Sequence, residues 1–182
     1  MMKRRPFVLG LLFAGLGAPP ATAAAFGDKV QFDIQLPTGF ERQAQSSPEQ
    51  GVEAVRFVGR RRRDGTRPVL VVTTVRLPQD RQKRGDEELR EMLVDKHVEE
   101  LRVKYKVEDY ARESRKIGRL SAVKLTWENV FGEPPRMMTV ALVIAVIDRL
   151  AVIMRAEDLG EKRKQGMADM DHAMSTFMIT RR

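Results

Sequence analysis

The sequence predicts an α+β domain in which a mainly antiparallel β-sheet is flanked by helices, an α/β/α sandwich. Short runs rich in β-branched residues follow one another across tight, turn-marked connectors, the pattern of neighbouring antiparallel strands. Two stretches, one after Gly85 and one after Gly160, instead repeat apolar residues at steps of three and four, the helical period. Val69-Leu70-Val71-Val72 is apolar at every position, as expected of a strand covered on both faces. Helices are therefore expected on both sides of the sheet.

The first 25 residues read as an export signal rather than as part of the domain. Lys3, Arg4 and Arg5 form a basic start, residues 7–17 an apolar run, and Ala23-Ala24-Ala25 a small-residue end of the kind signal peptidase requires. Cleavage after Ala23 and cleavage after Ala25 both fit, and residues 26–182 are expected to form a single domain, periplasmic or secreted. The apolar run contains Gly10, Gly15 and Gly17 and is about half the roughly 20 residues that span a bilayer. Arg4-Arg5-Pro6-Phe7-Val8 also resembles a twin-arginine signal, the alternative to an ordinary Sec route.

Residues 29–36 alternate, with Val30, Phe32, Ile34 and Leu36 on one face, and predict a half-buried strand. Pro37-Thr38-Gly39 breaks it, residues 40–43 can start a return strand, and residues 45–51 are polar loop. Residues 52–58 and 69–77 are strands joined by a connector, from Gly59 to Pro68, that contains Asp64-Gly65 and suggests a hairpin. Asp86 is a plausible N-cap for a helix running to about Lys106. Leu89, Leu93, His97, Leu101 and Tyr105, with Val94 and Val98 beside them, form its sheet-facing side.

Residues 108–117 and 121–129 read as strands, and Gly132-Glu133-Pro134-Pro135 as a turn. Residues 137–154 are almost apolar enough for a membrane span. Asp148-Arg149 in their middle and the density of Val and Ile favour two buried strands around a tight turn. Residues 160–177 form the last helix, with Met167, Met170, Met174, Phe177 and Met178 on one face.

The chemistry-bearing residues are sparse. There is no cysteine, which removes disulfides, thiol nucleophiles and a lipidated anchor together. His97 lies within an apolar helical face, where a satisfied core histidine is the commoner reading than a base or ligand. His172, in Asp169-Met170-Asp171-His172, lacks a third ligand partner. The methionine row could hold copper(I) as a soft thioether site, but methionine at helical spacing more often fills core. No phosphate loop, dinucleotide fingerprint or serine-hydrolase motif is present. No enzyme and no cofactor are expected.

The most distinctive polar feature is Arg60, Arg61, Arg62 and Arg63 with Arg67, on the connector of the first hairpin. Five arginines on one loop raise the local positive potential; the plainer reading is a tip that only keeps the protein soluble. Arg76, Arg81, Lys83 and Arg84 follow beyond the next strand. An exported chain whose arginines are not interleaved with aromatic residues is a poor nucleic-acid binder. An envelope protein or an anionic membrane surface is the expected partner.

Phe32-Asp33-Ile34-Gln35-Leu36-Pro37-Thr38-Gly39-Phe40 resembles the opening strand and Leu-Pro-x-Gly-aromatic turn of the PsbP-like superfamily, which includes the extrinsic oxygen-evolving subunit and the DcrB group. Ile117-Gly118-Arg119-Leu120-Ser121-Ala122-Val123-Lys124-Leu125 and the ending Ser175-Thr176-Phe177 are similar to later parts of the same pattern. The resemblance implies an α/β/α sandwich and non-enzymatic accessory or binding roles in the cell envelope, and carries over no functional residue. This chain departs from it in lacking a lipidated cysteine and in having Asp148-Arg149 where a glycine-containing turn is usual. Two other readings are a carrier of a small apolar ligand held between helix and sheet, and a small hydrolase or metal-dependent enzyme centred on His97 or His172.

Overall fold

The computed structural model describes residues 30–45, 52–79 and 84–181. The expected export signal, most of the expected 45–51 loop, and Arg81 and Lys83 lie outside the described residues. The described elements run β1 (Gln31–Asp33), β2 (Glu41–Gln45), β3 (Val52–Val58), β4 (Val69–Arg76), α1 (Asp86–Tyr105), β5 (Ala111–Ile117), β6 (Leu120–Phe131), β7 (Arg136–Ile147), β8 (Leu150–Leu159), α2 (Arg163–Ser175) and β9 (Met178–Arg181).

Seven strands form one sheet in the order β2-β3-β4-β8-β7-β6-β5, and each neighbouring pair is antiparallel. The central strands alternate between two buried faces. Val123, Leu125, Val140, Leu142, Ile144 and Ile153 pack with Val94 and Leu101 of α1 on one. Ala122, Ala141, Val143, Val152 and Met154 pack with Met170, Met174 and Phe177 on the other. The expected α+β sandwich, with an antiparallel sheet between helices, is the architecture observed.

Several elements differ from the sequence reading in instructive ways. The first strand is short because, among the described residues, β1 pairs only with β9, a strand about 145 residues later that the sequence did not announce. After Asp33 the backbone leaves the ladder, and Gln35 N–H donates instead to Thr176 Oγ1 (2.9 Å). Phe32, Ile34 and Leu36 still pack on the α2-side core, so the alternation reports burial correctly and strand length wrongly. Met178 belongs to β9 and is 57% exposed, unlike the buried Met170 and Met174.

Asp86 is not the N-cap of α1; Gly85 holds that position without a side-chain cap. The Asp86 carboxylate is used elsewhere, accepting from the backbone N–H of Asp148 (2.8 Å) and Arg149 (3.2 Å). Those two residues form the β7–β8 turn with φ of 48° and 60°, left-handed values that disfavour residues with a Cβ. A carboxylate satisfying both turn amides explains how the hairpin closes without glycine. Nearby, Gly118 has φ +55°, and a Cβ there would sit 2.1 Å from the Phe177 carbonyl oxygen. The β5–β6 turn therefore requires glycine both for its backbone and for the close approach of the segment after α2.

Candidate functional site

The arginine connector joins β3 to β4 at the end of the sheet where β8 runs into α2. It is a structured loop: Gly59 N–H donates to Pro68 O (2.9 Å), Arg62 N–H to Thr66 O (2.9 Å) and Gly65 N–H to Arg62 O (3.0 Å). Asp64 Oδ1 accepts from Thr66 N–H (3.0 Å) and Thr66 Oγ1 (2.7 Å). Those hydrogen bonds hold the Asp64 carboxyl below the usual range.

Arg62 stands apart from its neighbours. Its Nη1 and Nη2 donate to Asp158 Oδ1 and Oδ2, both at 2.7 Å. The Asp158 side chain is fully buried and that of Arg62 is 19% exposed. The hydrogen bonds to Asp158 raise the Arg62 pKa further, against the opposing effect of burial. Asp158 also accepts from Leu159 N–H (2.8 Å). Gly166 of α2 lies directly over the pair: a Cβ there would come within 1.8 Å of Asp158 Oδ2 and 2.6 Å of Arg62 Nη2. The clasp thus fastens the loop to β8, with α2 packed closely over it at Gly166.

Arg60, Arg61, Arg63 and Arg67 remain exposed. Arg60 crosses the turn at Gly39, its side-chain atoms 2.6 to 2.8 Å from where a Cβ would stand. Arg136, at the start of β7, donates from Nη1 to Asp64 O (2.9 Å), so the β6–β7 hairpin abuts the loop. Arg76 and Arg84 are elsewhere. β4 carries the chain away from the loop for eight residues, roughly 25 Å at strand rise, and Arg84 pairs with Glu88 (3.4 Å). Of the five candidates, four face solvent and one is built into the fold.

Sequence reasoning missed Asp158, Gly166 and Arg136. Asp158 was detectable: it continues the Val152, Met154, Ala156 face of β8, and a carboxylate on a buried face requires a cation. The sequence does not say which arginine supplies it.

The histidine alternatives resolve into ordinary surroundings. His97 is largely buried, with Nδ1 3.4 Å from Glu100 Oε2, and burial lowers its pKa despite that carboxylate. His172 is exposed. Asp171 beside it pairs with Lys124 (2.8 Å) and with Arg115; burial works against its charge, but these two hydrogen bonds hold its pKa below the ordinary range. Among the described residues no three His, Cys, Asp or Glu side chains converge as a metal site. Met170 and Met174 are fully buried in the core. A cleft of about 660 Å³ at the opposite end, by the β5–β6 turn, is lined mainly by charged and hydroxyl side chains such as Arg90, Arg115, Arg119 and Ser121.

The molecule is thus an antiparallel α/β/α sandwich with a basic, internally clasped loop at one end. Its fold is shared with LpqN of Mycobacterium tuberculosis, a protein described as involved in cell envelope biogenesis, at TM-score 0.56 and 14% identity over 86% of this chain and 88% of that one. A Bacteroides thetaiotaomicron VPI-5482 protein aligns at TM-score 0.51 and 12% identity, covering 82% of this chain, which spans 45% of that protein's length. The cyanobacterial PsbP (CyanoP) of Synechocystis sp. PCC 6803 aligns more loosely, at TM-score 0.46 and 14% identity over 89% and 99% of the two chains. No family model and no curated protein matches the sequence. Among the described residues, no helix is long and apolar enough to cross a membrane.

Proposed function

We propose that this chain is an exported, non-catalytic accessory or binding protein of the cell envelope that docks on an acidic surface through its arginine loop. The observation that carries the reading is the loop itself: Arg60, Arg61, Arg63 and Arg67 are exposed on a backbone fixed by its own hydrogen bonds and by the Arg62–Asp158 clasp. A preorganised cationic surface loses less entropy on association than a flexible tail carrying the same charge. The architecture shared with an envelope-biogenesis protein supports the cellular setting, as does the export signal read from residues 1–25.

The test is in-cell crosslinking of the tagged chain in the envelope, comparing wild type with Arg61→Glu/Arg63→Glu. The reading expects association with the envelope that the reversed charges weaken at low salt, since surface electrostatics are screened within about 10 Å at 0.1 M. Association unchanged by both reversals would remove the loop from the docking role.

A further inference from the structure

Resting on that docking reading, we infer that the acidic surface is an anionic lipid bilayer, and that the tip of the β6–β7 hairpin inserts into it beside the arginine loop. The last rungs of this hairpin have no neighbouring strand on either side among the described residues. β5 pairs with β6 only as far as Thr126, leaving the edge from Trp127 to Phe131 without a strand neighbour among the described residues. On the other side β8 ends at Leu159, opposite Met138. Beyond that point the rungs Val130–Met137 and Phe131–Arg136 stand as a two-stranded finger.

The finger carries an exposed apolar side chain on each face, Phe131 sharing its rung with Arg136. Val130 and Met137 oppose one another and share the α2-side face, while Phe131, one residue on, turns to the α1 side. They are 57%, 38% and 47% exposed, and account for three of the six exposed large apolar side chains among the described residues. Pro134 and Pro135 at the turn are exposed as well. A protein partner would cover one face of such a finger. A bilayer surrounds it.

The charge around it fits the same occupant. Arg136 ties the finger to the arginine loop through Asp64 O (2.9 Å), and Met137 O accepts from Gly160 N–H (3.0 Å) in the β8–α2 turn. Exposed Arg60, Arg61, Arg63 and Arg67 are thereby gathered on the same end as Lys162 and Lys164 of that turn and α2. An apolar finger with a basic collar matches acyl chains beneath anionic headgroups. Glu133, exposed in the turn itself, opposes the charge of that collar, as do Asp64 of the arginine loop and Glu161 of the β8–α2 turn, both exposed. Glu133 keeps insertion shallow, at the headgroup boundary.

The experiment is co-sedimentation of the chain recovered from the envelope with equimolar phosphatidylglycerol–phosphatidylcholine vesicles and with phosphatidylcholine vesicles alone. The wild type should bind the anionic vesicles more tightly. Arg61→Gln/Arg63→Gln should weaken that binding by about 25-fold, near fivefold per charge. Phe131→Ser should weaken it by roughly tenfold, and Glu133→Gln should strengthen it. These positions are exposed, so thermal melting of the variants should match wild type. In a Phe131→Trp/Trp127→Phe variant, emission should shift to the blue on binding and be quenched by brominated acyl chains.

Anionic binding that depends on the arginines but ignores Phe131, with no quenching, would overturn insertion while leaving arginine-loop docking intact. Binding to neither vesicle, with an envelope protein crosslinked through the arginines, would overturn the lipid assignment in favour of an acidic protein. Neither vesicle binding nor an arginine-dependent crosslink would overturn this inference and the docking reading together.

Discussion

Arg62 and Arg61 are adjacent in the chain and opposite in role. Arg62→Ala would leave Asp158 buried without its cation, and removing one member of a buried pair costs about 3 kcal/mol or more; urea unfolding should show it. Arg61→Ala and Arg63→Ala should stay within about 0.5 kcal/mol of wild type in the same assay, because both side chains are exposed. Gly166→Ala should resemble Arg62→Ala, since its Cβ would occupy the space of Asp158 Oδ2. The run of arginines was visible in the sequence as a charge cluster. Its division into one structural and four solvent-facing members was not, because pairing depends on which face of β8, 96 residues after Arg62, carries a carboxylate.

His97 makes a pH-dependent contribution of definite sign. Burial holds its folded pKa below the ordinary histidine value, so the neutral form is the one the fold accepts. Above about pH 6.5 folded and unfolded chains both carry it neutral, and its contribution is fully present. As pH falls from there through the lower folded value, the unfolded chain takes up the proton first and stability is lost. His97→Gln should flatten this part of the stability–pH curve, measured by denaturant midpoints from pH 7.5 to 5. An unchanged slope would mean that His97 is not its source.

At the scale of elements, the β7–β8 hairpin depends on a helix it does not belong to. Asp148 and Arg149 adopt left-handed backbone values, and the Asp86 carboxylate at the start of α1 satisfies both of their amides. Asp86→Ala should cost about 1–2 kcal/mol through lost hydrogen bonds to a charged acceptor, and Asp86→Asn should recover part of it; calorimetric melting distinguishes the two. The sequence marked Asp86 as important for a local reason, capping, and the structure gives a long-range one. Composition and periodicity located most of the strands and both helices because each must bury an apolar face. They overextended the first strand because alternation records burial, whereas a ladder also needs a partner of matching length, and β9 supplies only a short one.

For the whole molecule, two layers of side chains on either face of a central sheet explain why runs such as Val140 to Val146, buried at every position, are strands rather than a membrane span. The same arrangement leaves the sheet ends free to carry specificity. One end gathers the basic loop and the exposed hairpin tip; the other holds the α1 start and the charged cleft. The sheet was readable from sequence as a class, but its strand order was not, since no local signal reports that β4 lies beside β8.

That one junction divides the sheet into two meanders, β2-β3-β4 and β5-β6-β7-β8, each built from neighbours in the chain. Each can zip from its turns, whereas β4 and β8 must first close the long intervening segment, and loop closure is paid before the contacts return it. Joining the halves is therefore the expected rate-limiting event of folding. Val72→Ala, at the junction opposite Met154, should slow refolding with little change in unfolding rate, whereas Phe32→Ala, in the peripheral β1–β9 pair, should mainly hasten unfolding. Stopped-flow chevrons for the two variants would show whether the sheet is assembled at its middle or from its rim.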